Sequence, residues 1–233
     1  MKIKIYAVGL CFVPLVLTGT AAGQDVPQRA PLDSRSIMAT LSNDFSLVKK
    51  PATNAPVEAA APEIEDQAMK TAFLAIDDGN SEKAIRLFQE ILAKDPKNKR
   101  ARFGLSAMYI KLEDYKKALE ILEVMTVEFP DDYSLKNNIA WLYATAKDHS
   151  IRNASKAITY AQEALMGNPI DYHVWSTLSE AYYMSTQYDK ALRAAGEALR
   201  LAQQREASKA DIGEYKAQMD KCTKAAAAMS IIE

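Results

Sequence analysis

From about Glu65 onward, apolar residues recur three or four places apart, with polar residues between them. That spacing predicts amphipathic helices in succession. Small residues mark the same points in each. Ala84, Ala118, Ala157 and Ala191 are separated by 34, 39 and 34 residues, and Ala72, Ser106, Ala140 and Ser179 by 34, 34 and 39. Pro96, Pro130 and Pro169 follow with separations of 34 and 39. Within a unit the two small residues lie 12, 12, 17 and 12 apart, so five extra residues fall between the two helices of the third unit. The surplus is confined to Lys147–Ile151, a lengthened turn with the flanking helices in register.

A period of this length means a stacked array. Each unit is a helix pair with one apolar side, which it cannot cover alone. Neighbours stack, small residues let backbones approach, and proline stops the second helix. Asn80, Asp114 and Asn153 stand four residues before the small residue of each second helix and are expected to cap it. Gln187 holds the fourth such place. "NAS" at 153–155 also matches a glycosylation acceptor, but capping is the simpler role for Asn153.

The beginning of the chain is different. Lys2 and Lys4 precede an apolar run from Ile5 to Leu17, and small residues reach Ala22 and Gly23. Residues 1–23 therefore read as an export signal, and the alternative is a membrane anchor formed by residues 5–22. The expected location is periplasmic or extracellular. Cys11 lacks a lipobox and Cys222 is then alone, so no internal disulfide is expected. Removing 1–23 takes two lysines and no acids, leaving 27 Lys+Arg against 30 Asp+Glu, a net charge of −3. That offers no broad basic field for nucleic acid. Residues 24–62, rich in proline and alanine, read as a disordered tether. Within it, Ile37, Met38, Leu41, Phe45 and Leu47 could form an amphipathic helix on contact, against the plainer reading of linker.

The repeat resembles the tetratricopeptide repeat (TPR) family. The last unit carries it best, with Trp175, Leu178, Ser179, Tyr182, Tyr188, Ala191, Ala195 and Ala198 at the family's spacing. The second matches through "LSAMYIKLEDYKKALEILEVM" and the third through "AWLYA" and "KAITYAQEALMGNP". The first keeps its second helix but has Ala75 where a large aromatic is usual. The resemblance implies an all-α fold: a right-handed superhelical stack of four TPR helix pairs plus a C-terminal capping helix. The repeats are expected at 65–98, 99–132, 133–171 and 172–205, within a domain at 63–205. The capping helix is expected at 206–227, and a frayed tail at 228–233.

Catalytic sets are absent from the sequence. His149 and His173 lie far apart, no cysteine pair is present, and the glycines lack phosphate-loop spacing. No enzyme activity, cofactor or metal is expected. The resemblance implies instead a binding groove lined by the first helix of each repeat. Carried over by phase, the expected partner-binding residues are Phe73, Phe103, Ile110, Asn137, Asn138, Trp141, His173 and Tyr183. Asn137 and Asn138 would hydrogen-bond a peptide backbone. A clamp for a C-terminal carboxylate is not assembled, because Phe103, Ala107, His173 and Thr177 stand where Lys, Asn, Lys and Arg would be needed. The expected partner is a protein or peptide held in the groove, as in a scaffold or adaptor of a bacterial-type cell envelope. The alternative is a self-associating structural spacer, a homo-oligomer. Neither involves nucleic acid, and a membrane enters only through an uncleaved signal segment. The inserted turn, with Lys147, Asp148, His149 and Arg152, is either solvated or a secondary contact.

Overall fold

The computed structural model describes residues 60–231, with side chains from Gln67. The expected signal, most of the tether, and residues 232–233 lie outside the described residues. The described residues form helices and turns only. The helices are α1 (Ala60–Asp77), α2 (Ser81–Lys94), α3 (Lys99–Lys111), α4 (Tyr115–Glu128) and α5 (Tyr133–Thr145). They continue with α6 (Ala154–Gly167), α7 (Tyr172–Met184), α8 (Tyr188–Gln204) and α9 (Lys209–Met229). Consecutive helices pack on one another through the described residues, and α5 also packs on α7. Helix starts at Ala60, inside the stretch expected to be tether, and α9 runs through Met229, beyond the expected fraying point.

The periodic small residues sit where helices meet. Ala72, Ser106, Ala140 and Ser179 are buried, as are Ala84, Ala118, Ala157 and Ala191. One continuous core runs from Met69 to Ala181, joined by Leu105, Met108, Leu122, Leu135, Ile139 and Leu142. Gly104 is required by a close approach. A Cβ there would lie 2.4 Å from the fully buried Phe88 ring.

Helix ends follow the capping residues. Asn80, Asp114 and Asn153 accept from the amides of Lys83, Lys117 and Lys156. Gln187 makes no side-chain cap. Asn98, Asp132 and Asp171 cap the first helices of repeats two to four, and Ser208 caps α9.

The turns inside repeats one, two and four share one design. Gly79, Glu113 and Thr186 sit at φ 75, 63 and 60°, left-handed values that only glycine adopts without strain. The next residue in each then donates to a carbonyl five residues back: Asn80 to Ala75, Asp114 to Tyr109, Gln187 to Tyr182. Repeat three keeps that anchor despite five more residues, because Asn153 N–H donates to Tyr143 O at 2.9 Å, the equivalent carbonyl. The insertion therefore leaves and returns at the points a short turn would join. Ser150 N–H closes on Asp148 Oδ1, Arg152 Nε donates to Ala146 O at 2.6 Å, and Ile151 packs against the core.

A candidate docking cleft walled by α9

A cleft of about 540 Å³ is bounded by the end of α3, by α5, α7 and α9. Its position follows from the sequence of the first helices. Equivalent inward places hold Phe73, Ala107, Trp141 and Glu180, and further along Ile76, Ile110, Ala144 and Tyr183. In repeats one and two these side chains are apolar and close on one another. In repeats three and four they are aromatic, small or charged, and they leave a cleft.

Ile110, Trp141 and Tyr183 line the cleft with Ala144 and Met184. Trp141 and Tyr183 are half-buried. The Tyr183 ring packs edge-on against Tyr188, with centroids 5.2 Å apart. Thr145 Oγ1 donates to Trp141 O, which ties down the last turn of α5.

Helix α9 forms the far wall through a polar ladder on α7. Tyr215 Oη pairs with His173 Nδ1 at 2.9 Å. Ser176 Oγ donates to Gln218 Oε1, while Gln218 Nε2 donates to Ser176 O and to Glu180 Oε1. Lys221 Nζ reaches Glu180 Oε2 at 2.8 Å and lies 4.0 Å from the Tyr183 ring centroid. Beneath them Cys222 is fully buried, 3.6 Å from Ser179 Oγ. Burial pushes its thiol above the usual range, so it stays protonated at neutral pH and serves as packing.

The charged rim is uneven. Lys147, from the inserted turn, pairs with Glu113, and that hydrogen bond raises its pKa. Lys111 and Arg152 also face the cleft, and among the described residues neither forms an ion pair. Glu214 stands on the α9 side.

Several expected groove residues are placed elsewhere. Phe73 and Phe103 are only 5% and 6% exposed. They belong to the core because apolar neighbours close over them. The Phe88 ring meets Phe73 edge-on at 5.8 Å, and the Arg100 guanidinium lies 6.0 Å from the Phe73 centroid. Asn138 is likewise buried, at 7% exposure. Asn137 is half-buried and does not line the cleft; its side-chain oxygen is enclosed without a hydrogen-bond partner among the described residues. His173 is engaged by Tyr215 rather than open to a partner.

Sequence reasoning did not assign the α9 wall. A signal was there: Tyr215, Gln218 and Cys222 share one helix face at i, i+3 and i+7.

Residues 75–141 match the tetratricopeptide repeat family. The solved structure of TTC0263, a thermophilic TPR protein of Thermus thermophilus, is similar at a TM-score of 0.55 and 20% identity, over 70% of this chain and 88% of that one. Residues 75–141 are tetratricopeptide repeats, and the described residues share the TPR fold. Two further solved structures share the fold. PilW, a widely conserved type IV pilus biogenesis factor, matches at 0.53 and 16% identity, over 69% of this chain and 78% of that one. MamA, from residue 41 to its end, of Desulfovibrio magneticus RS-1 matches at 0.52 and 19% identity, over 61% and 78%. No curated protein matches this sequence.

The cleft runs along repeats three and four, closed at one end by the end of repeat two's first helix and walled by α9. Among the described residues no group of three or more His, Cys, Asp or Glu is placed to hold a metal. No helix among them is long and apolar enough to cross a membrane.

Proposed function

We propose that this protein is a non-enzymatic scaffold or adaptor that docks a segment of a partner protein in the cleft between α5, α7 and α9. The observation that carries the reading is the half-open aromatic pair Trp141 and Tyr183 over a cleft of about 540 Å³. Aromatic side chains in such a position give large contact area at small entropy cost. Placement in the cell envelope belongs to the same proposal and rests on Lys2, Lys4 and the apolar run from Ile5 to Leu17. A pull-down with crosslinking tests the docking reading. Trp141→Ala and Tyr183→Ala should each lose the partner while melting cooperatively, and undiminished recovery with both would refute it.

Self-association is the second reading, favoured by a specific observation. Val127 on α4 and Met166 on α6 occupy equivalent places and are 82% and 79% exposed. Two such side chains on the outer helices could form part of a contact between copies. Light scattering across protein concentration decides it: a concentration-dependent dimer abolished by Val127→Asp supports it, and a monomer throughout rules it out.

A further inference from the structure

We infer that the occupant of the cleft is an amphipathic segment of a partner protein that carries carboxylates beside its apolar residues. The inference rests on the docking reading above and adds the chemistry of the segment. The floor is apolar, from Ile110, Trp141 and Tyr183. Two of the four cations on the wall are already matched by acids of this chain, Lys147 by Glu113 and Lys221 by Glu180. Lys111 and Arg152 are not matched by any acid among the described residues. Arg152 is half-buried and its Nε is fixed on Ala146 O, so less of its side-chain freedom remains to be lost on binding. Its guanidinium suits a carboxylate, which it can hold through two parallel hydrogen bonds.

The charges also give the segment a direction. Lys111 and Arg152 mark the end of the cleft near the turns of repeats two and three, whereas Glu214 lies on the α9 side. Acidic residues therefore belong toward the turns. The chain's own segment at 34–50 does not meet this requirement. It holds Arg35, Lys49 and Lys50 against Asp44, and its net charge is positive. A foreign acidic segment is complementary where the chain's own is not.

The test uses the full chain and two labelled synthetic helical peptides with the same leucine and phenylalanine face. One is flanked by aspartates and the other by lysines. Fluorescence anisotropy at low salt should show the acidic peptide binding at least about tenfold more tightly, with the ratio shrinking as salt screens the charges. Lys111→Glu with Arg152→Glu should erase or reverse the preference, and Trp141→Ala should weaken both peptides. If the double variant does not fold, Lys111→Glu alone, at an exposed side chain, should still reduce the ratio. Equal binding of the two peptides, or tighter binding of the basic one, overturns the acidic assignment and leaves the docking reading standing. Binding of neither peptide overturns both.

Discussion

The inner surface of the first two repeats and that of the last two have the same backbone plan and opposite outcomes. Met69, Phe73, Ile76, Phe103, Ala107 and Ile110 hold the inward places of repeats one and two, and all are at most 6% exposed. The equivalent places of repeats three and four hold Asn137, Trp141, Ala144, Ser176, Glu180 and Tyr183. There Ala144 and Ser176 are also buried, at 7% and 6%, but Asn137, Trp141, Glu180 and Tyr183 stay half-buried and do not seal the surface. A cleft remains, and α9 forms one of its walls. Position in the repeat therefore does not make a residue part of a groove; the neighbours at equivalent places decide that.

The largest effect should separate Phe103 from Trp141. Phe103→Ala removes a buried ring and should cost about 3–5 kcal/mol in urea unfolding. Trp141→Ala, at a half-open ring, should cost about 1 kcal/mol. Equal losses would erase the distinction between sealed and open halves.

Gly104→Ala probes how tightly the sealed half is packed. The added methyl meets Phe88, and overpacking of this kind costs about 1–3 kcal/mol. Thermal melting would register it, and an unchanged midpoint would mean that Phe88 has room to move.

The fold was legible because its determinants are local and periodic. Ala72, Ser106, Ala140 and Ser179 mark helix contacts by spacing alone, and Asn80, Asp114 and Asn153 mark helix starts by side-chain chemistry. The cleft was only partly legible. Phase brought Ile110, Trp141 and Tyr183 to its surface, but phase cannot show that Phe73 is covered, since covering depends on Phe88 and Arg100 from other helices. The α9 wall also escaped, because Gln218 and Lys221 read as solvent-facing polar residues until α7 supplies Ser176 and Glu180.

In the open half, the ladder should hold α9 in place. Gln218→Ala removes three hydrogen bonds to α7 and should cost about 1–2 kcal/mol. Hydrogen exchange should show the loss as faster opening confined to α9. An effect spread over the whole array would mean that α9 is integral to the core and not a wall added to it.

Thr186 offers a gain in the same half. A β-branched residue at φ 60° is strained, and Thr186→Gly should raise stability by about 1 kcal/mol without altering the cleft floor. A lower melting midpoint would show that the cost of glycine in the unfolded chain outweighs relief of strain.

The smallest effect concerns acid. Burial pushes the Asp132 carboxyl up, but hydrogen bonds from Lys99 and Ser134 outweigh it and hold its pKa below the ordinary value. A depressed carboxylate stabilises the fold at pH above its unfolded value of about 3.9, and that stabilisation fades as pH falls through the folded value. Asp132→Asn should therefore narrow the stability difference between neutral and acid pH, as read by melting at several pH values. An unchanged acid dependence would remove Asp132 from the account.

Photocrosslinking from the open half tests the central claim most directly. With p-benzoylphenylalanine in place of Tyr183, partner protein should be captured, and the adduct should vanish when Trp141→Ala is added. The same probe in place of Val127, on the outer face, should capture none of that partner. Capture from position 127 with none from 183 would contradict the claim that the cleft between α5, α7 and α9 is the docking surface.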